Sequence, residues 1–190
     1  MLRGSPAVHR NRPGFFRASL LWRRFFLGLH MPAECYFSLN NRSISMLTCK
    51  GFVNVSAFSG RTAYANNPAD TGILKAGPLP TGLYYIVDRQ SGGHIGWLYD
   101  FIKDKWSGVD HSTWFALHRN DGVIDDWTYV NGVKRGQFRL HPNGRDGLSE
   151  GCTTVHDQPQ FDRLRAFLLP QPPQTVPGTA VQYYGTVLMQ

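Results

Sequence analysis

Arg139-Leu-His-Pro-Asn-Gly-Arg-Asp-Gly-Leu-Ser-Glu-Gly-Cys152 reads as the end of one strand, a turn-rich loop and the start of a second strand. His141 closes the first strand, Cys152 opens the second, and ten residues separate them. Only a thiolate attacks a carbonyl well, and a free cysteine titrates near ~8.5, so a cysteine nucleophile at neutral pH needs a base beside it. His141 is the candidate base and Cys152 the candidate nucleophile. Gly151, directly before the thiol, lets the backbone bend and aim N–H groups at an oxyanion with no Cβ in the way. With Ser149 it forms the candidate oxyanion and substrate support. The thiol chemistry calls for no metal and no cofactor.

Side chains alternate across a strand, so Phe138 and Leu140 share the core face while Gln137, Arg139 and His141 share the other. Arg139 then lies beside the candidate base. Its fork suits a substrate carboxylate, and it suits equally a structural ion pair with one of the aspartates. His118, at the end of its own strand, is the alternative base. His156 shares a face with Cys152 only if its strand stays regular. A backbone carbonyl, Asp121, Asp125 or Asp126 could orient the imidazole.

Working outward, short alternating runs dominate. Cys35 to Cys49 reads as a hairpin with a polar turn at 40–42, which sets the two cysteines opposite each other. A cross-strand disulfide and two reduced thiols are both open, and either leaves Cys152 free. Further strands are expected at 52–58, 82–88, 112–118, 123–130, 136–141 and 180–189, with turns at 91–93 and 120–122. Residues 59–81 read as a long ordered loop, and 97–112 as a connecting excursion or a lid. One helix follows the cysteine. Asp157 caps it, Pro159 sits in its first turn, and Phe161, Leu164, Phe167 and Leu168 make its apolar face. With 20 glycines, 12 prolines and 13% aromatic residues, the 190-residue chain is expected to be mainly β, a sandwich or barrel with one short helix.

The net charge of +7 is uneven. Residues 1–30 hold six arginines and no acid, so they carry +6 and leave +1 for everything after them. A nearly neutral body offers no groove for nucleic acid. Residues 1–30 are read as a basic extension outside the fold, and 31–190 as the catalytic domain. The extension's interleaved arginines and aromatics suit a membrane-surface helix, a weak export signal around Arg23-Arg24, or an upstream start.

The Ser149-x-Gly151-Cys152 core resembles the active-site motif of L,D-transpeptidases of the YkuD type, where the histidine likewise precedes the cysteine. Papain-like enzymes run the other way. From about residue 32 to 170 the chain is similar to the type VI secretion L,D-transpeptidase effectors, the Tlde-like branch. Ala57-Phe-Ser-Gly60, Gly77-Pro-Leu-Pro-Thr-Gly-Leu-Tyr-Tyr-Ile86, Phe115-Ala-Leu-His-Arg-Asn-Asp-Gly122 and Arg135-Gly-Gln-Phe-Arg-Leu-His-Pro142 carry the likeness.

The resemblance implies that His141 and Cys152 are the catalytic pair of an L,D-transpeptidase-like fold. It implies an antibacterial toxin, made in the cytoplasm, exported through a secretion apparatus and acting in the target's periplasm. Its substrates would be peptidoglycan stem peptides, with D-amino acids as acceptors, and a cognate immunity protein would protect the producer. Two alternatives accompany this reading: a resident enzyme that cross-links the producer's own wall, and a non-catalytic peptidoglycan-binding domain. Glu150 departs from the pattern by replacing the histidine or arginine of housekeeping enzymes, and a carboxylate there disfavours the thiolate.

Overall fold

The structure, a computed structural model, describes residue 1 and residues 31–88, 113–144 and 149–190. The strands are β1 (Ala33–Phe37), β2 (Ser45–Cys49), β3 (Val55–Ser59), β4 (Gly82–Asp88), β5 (Phe115–Arg119), β6 (Trp127–Val130), β7 (Val133–Gly136), β8 (Arg139–Pro142) and β9 (Thr153–Val155). After β9 come α1 (Gln158–Leu168), β10 (Gln174–Thr175), β11 (Gln182–Tyr183) and β12 (Gly185–Met189). Eight strands close a barrel in the order β1-β12-β4-β5-β8-β9-β3-β2. The β1–β12 and β8–β9 pairs are parallel and the others antiparallel, so the barrel is mixed. Among the described residues the expectation of a mainly β fold with one short α-helix is met, and the barrel is the form it takes.

Strict alternation builds the β1, β2 and β12 part of the wall, whereas β8 and β9 are buried at every position. In β1, Ala33, Cys35 and Phe37 turn inward, and in β2 Ser45, Leu47 and Cys49 do the same. Cys35 and Cys49 are direct partners in that hairpin and form a disulfide, which settles the alternative left open by the sequence. Asn41 takes positive φ in the turn, where Asn40 Oδ1 accepts from the Arg42 N–H.

The helix begins as read. Asp157 Oδ1 accepts from the Gln160 N–H at 2.8 Å, and a proline occupies the first turn. Phe161, Leu164 and Leu168 join the core with Phe115, Leu140 and Val155, while Phe167 stacks on Phe52. A fully buried side chain of this size is worth roughly 1.5–3 kcal/mol, so the helix seals the barrel around the motif strands.

Three expected strands are shorter than periodicity suggested. Residues 123–130 do not return along β5; β6 pairs with β7 in a separate hairpin, and β8 takes the place beside β5. Asp125 and Asp126 break the run, since Asp125 Oδ1 caps the Trp127 N–H and the Asp126 carboxylate turns into the protein. Residues 136–141 split at Gln137, whose φ is +61°. Residues 180–189 split between β11 and β12. The turn read at 91–93, the excursion at 97–112 and the amphipathic reading of 1–30 lie outside the described residues.

Candidate active site

Parallel neighbours normally need a long crossover, because the chain must travel back before it can run in the same direction. Here ten residues carry it from Pro142 at the end of β8 to Thr153 at the start of β9. This return requires the turn-rich composition of the loop. It also fixes the site, because register pairs Leu140 with Thr153 and His141 with Thr154. One residue earlier, Arg139 and Cys152 come side by side. Leu140, Thr153 and Val155 face the core, so Arg139, His141, Cys152 and Thr154 occupy the opposite face.

Cys152 and His141 are therefore diagonal neighbours on adjacent strands. From strand spacing and rise their Cα atoms are about 8 Å apart. On the far side of β8, β5 places Ala116 opposite Arg139, and His118 lies one step further along the same face. His118 is thus two strands from Cys152, and the register favours His141.

Both histidines have one ring nitrogen fixed by a main-chain oxygen. His141 Nδ1 lies 2.7 Å from the Pro142 carbonyl, which makes it the N–H donor and leaves Nε2 basic. Nε2 faces the Thr154 hydroxyl at 3.3 Å, and Trp114 stacks on the ring at 4.3 Å between centroids. The orienting group is thus a backbone carbonyl rather than Asp121, Asp125 or Asp126. His118 Nδ1 lies 2.8 Å from the Asp125 carbonyl, and its buried Nε2 has no hydrogen-bond partner among the described residues. His156 is exposed, and its Nδ1 lies 3.7 Å from Asp157 Oδ2.

Arg139 is where the structure departs from a substrate-binding expectation. Its Nη1 and Nη2 donate to the two carboxylate oxygens of Asp126 at 2.7 and 2.8 Å, and Nη1 also donates to the Phe138 carbonyl. Both partners are buried. The fork is occupied, so the ion-pair alternative describes Arg139 in this structure.

Ser149 is fully buried, and its hydroxyl donates to the Cys152 carbonyl at 2.8 Å and accepts from the Gly60 N–H at 3.3 Å. It ties the motif loop to the end of β3 and so supports the turn rather than lining a cavity. Gly151 has φ +106°, and a Cβ there would lie 2.5 Å from Arg135 Nη2. Any side chain would be strained and would displace that guanidinium.

Sequence reasoning missed Trp114, Thr154 and Arg135. The first two lie in register with His141, which only the strand pairing reveals. Arg135 lies on β7 and is buried there, a placement that follows from the β6–β7 hairpin.

Burial pushes the Cys152 thiol up to about 11. The Arg139 charge and backbone N–H pull the other way, and Asp126 and Glu150 add upward pushes. Sγ sits 3.9 Å from the Gln137 carbonyl, to which a neutral thiol can donate. Both observations favour the neutral thiol at Cys152. Iodoacetamide alkylation of Cys152 should follow a single titration near pH 11, and a midpoint below 8 would show a preformed thiolate instead. The sign for stability follows: a raised acid pKa favours the native state below about pH 9, and this contribution is lost as pH rises through 11.

An open polar cleft lined by Arg119, Asp121, Asp125, Trp127, Tyr129 and Lys134 lies elsewhere on the surface. Cys152, His141, Arg139 and His118 do not line it.

Comparison with family models found a match, described as the Tlde1 domain, over residues 53–179. Searches of curated proteins and of solved structures each found no match. The matched span contains Cys152, His141, His118, Arg139, Ser149 and Gly151.

Proposed function

The chain belongs to the Tlde1 domain family, the type VI secretion L,D-transpeptidase effectors, and from that premise we propose that it is an antibacterial peptidoglycan-modifying enzyme with Cys152 as nucleophile. The observation that carries this reading is the parallel β8–β9 register, which brings Cys152 and an oriented His141 onto one face.

The proposed reaction cuts the bond between residues 3 and 4 of a tetrapeptide stem. His141 Nε2 takes the Cys152 proton as sulfur attacks the carbonyl of the diaminopimelate residue. The N–H groups of the Gly151–Cys152 turn stabilise the oxyanion. Collapse of the tetrahedral intermediate breaks the C–N bond, and His141 returns the proton to the departing D-alanine amine. The resulting thioester is resolved by water, giving a tripeptide, or by the amine of another D-amino acid, giving an exchanged tetrapeptide. In each case His141 takes the incoming nucleophile's proton and returns it to sulfur.

Family membership makes peptidoglycan the substrate class and an immunity partner expected. We place the action in the periplasm of a rival cell, where the Cys35–Cys49 disulfide would also persist. We assign the catalytic unit to residues 31–190.

The cellular test directs the full chain either to the cytoplasm or to the periplasm of a Gram-negative host. Lysis or growth arrest should follow only periplasmic targeting, and co-expression of the cognate immunity protein should relieve it. Harmless periplasmic expression with newly formed cross-links in the host wall would favour a resident cross-linking enzyme. Toxicity retained by Cys152→Ala would favour a non-catalytic binding domain.

A further inference from the structure

Two arginines flank the Cys152 turn, and their charges are disposed differently. Arg139 is paired through both Nη atoms with Asp126, whose carboxylate offsets part of the Arg139 charge at the sulfur. Arg135, on β7, is equally buried. Among the described residues no carboxylate lies within ion-pair distance of it. Its guanidinium donates instead to three main-chain carbonyls of the 71–78 loop, those of Thr71, Gly77 and Pro78. The Phe138 ring lies 5.8 Å from it. The remaining side of the guanidinium meets Gly151, the residue that precedes the nucleophile, so closely that a Cβ would lie 2.5 Å from Nη2.

A buried cation satisfied only by neutral carbonyls keeps its full field, and at short range in a poorly solvated site that field is strong. Cys152 in turn favours the charged form of Arg135. Of the other charged groups near the thiol, Arg139 also favours the thiolate, Asp126 and Glu150 oppose it, and Glu150 faces the half-exposed Arg61 at 3.9 Å.

We propose that Arg135 is an electrostatic positioning residue for the nucleophile: its unneutralised guanidinium, anchored behind Gly151 by the 71–78 loop, stabilises Cys152 as negative charge develops on sulfur. Gly151 is then required twice, for its backbone angle and to let the cation approach. The 71–78 loop gains a role as well, since its carbonyls hold the charge in place without cancelling it. This inference rests on Cys152 being the nucleophile, but its test reads the thiol directly and needs no turnover.

The test measures Cys152 alkylation by iodoacetamide from pH 8 to 11 in the full chain, alongside melting temperature. Arg135→Met removes the charge and keeps the stem. It should lower the alkylation rate at pH 8.5 about tenfold, the lower end of the effect of an opposite charge at ~4–6 Å. Arg135→Lys keeps the charge but cannot reproduce the three carbonyl bonds. It should melt earlier while alkylating within about threefold of the parent, a threefold change being roughly 0.5 pKa unit. An Arg135→Met protein that is merely less stable, with an unchanged alkylation profile, would overturn the proposal. If Arg135→Met does not fold, Arg135→Lys decides alone: a tenfold loss in that charged variant would show that loop geometry, not charge, governs the thiol. Absent turnover with an intact Arg135 effect would instead refute the proposed reaction and leave only the electrostatic coupling of Arg135 to the thiol.

Discussion

Cys152→Ala and His141→Asn are each expected to reduce turnover of tetrapeptide stems by at least ~10³-fold, because members of a nucleophile–base pair act as a unit. Asparagine at 141 can still donate to the Pro142 carbonyl, which histidine Nδ1 reaches at 2.7 Å, but it has no basic nitrogen. Loss of activity in that variant would therefore report the proton acceptor rather than a collapsed strand end. His118→Asn is the control, since it can likewise keep the bond to the Asp125 carbonyl. On this account it retains most activity. Because His118 Nε2 is buried without a partner among the described residues, a moderate rise in KM would be compatible with contact to the stem peptide. An inactive His118→Asn beside an active His141→Asn would reverse the assignment of the base.

The second large effect concerns the ion pair beneath the site. Asp126→Ala leaves the buried Arg139 guanidinium without its carboxylate, and breaking such a pair from one side costs about 3–5 kcal/mol. For a chain of this size, that corresponds to a melting temperature lower by roughly 10 °C. Arg139→Lys should also destabilise, since one ammonium cannot occupy both Asp126 oxygens as the fork does at 2.7 and 2.8 Å. Kinetics on the folded fraction of Arg139→Lys should stay near normal. Parent-like melting with KM raised ten- to a hundredfold would show instead that the fork leaves Asp126 to bind the substrate's terminal carboxylate. Thermal melting and initial rates on the same preparation decide the matter.

What the sequence made legible was local. Period-two alternation places Cys35, Phe37, Leu47 and Cys49 inside, and the same hairpin reading sets the two cysteines opposite each other. Asp157, the following proline and the Phe161–Leu164–Leu168 spacing specify the helix with no knowledge of its partners. Alternation around Leu140 likewise puts Arg139 and His141 on one face. What was not legible depends on contacts between distant strands. Nothing local announces that β1 pairs in parallel with β12, or that β8 rather than residues 123–130 runs beside β5.

Charged groups were harder still to read. Arg135, Arg139 and Asp126 have the residue types of a solvated surface, and only the closed barrel and its side hairpin bury them. Asp126 could be named as one of several acids near the histidine, but not as the partner of Arg139. Gly151 could be read as a turn residue, but not as the space into which Arg135 fits.

The central claim is that Cys152 forms a thioester with a stem peptide as D-alanine leaves. Its most direct measurement incubates the full chain with disaccharide tetrapeptide and follows both muropeptides and intact protein by mass spectrometry. The account predicts tripeptide product, or exchanged tetrapeptide when a second D-amino acid is supplied. It also predicts an adduct on Cys152 equal to the substrate less one D-alanine, absent from Cys152→Ala. Unchanged tetrapeptide with an unmodified Cys152, in protein shown to be folded, would contradict it.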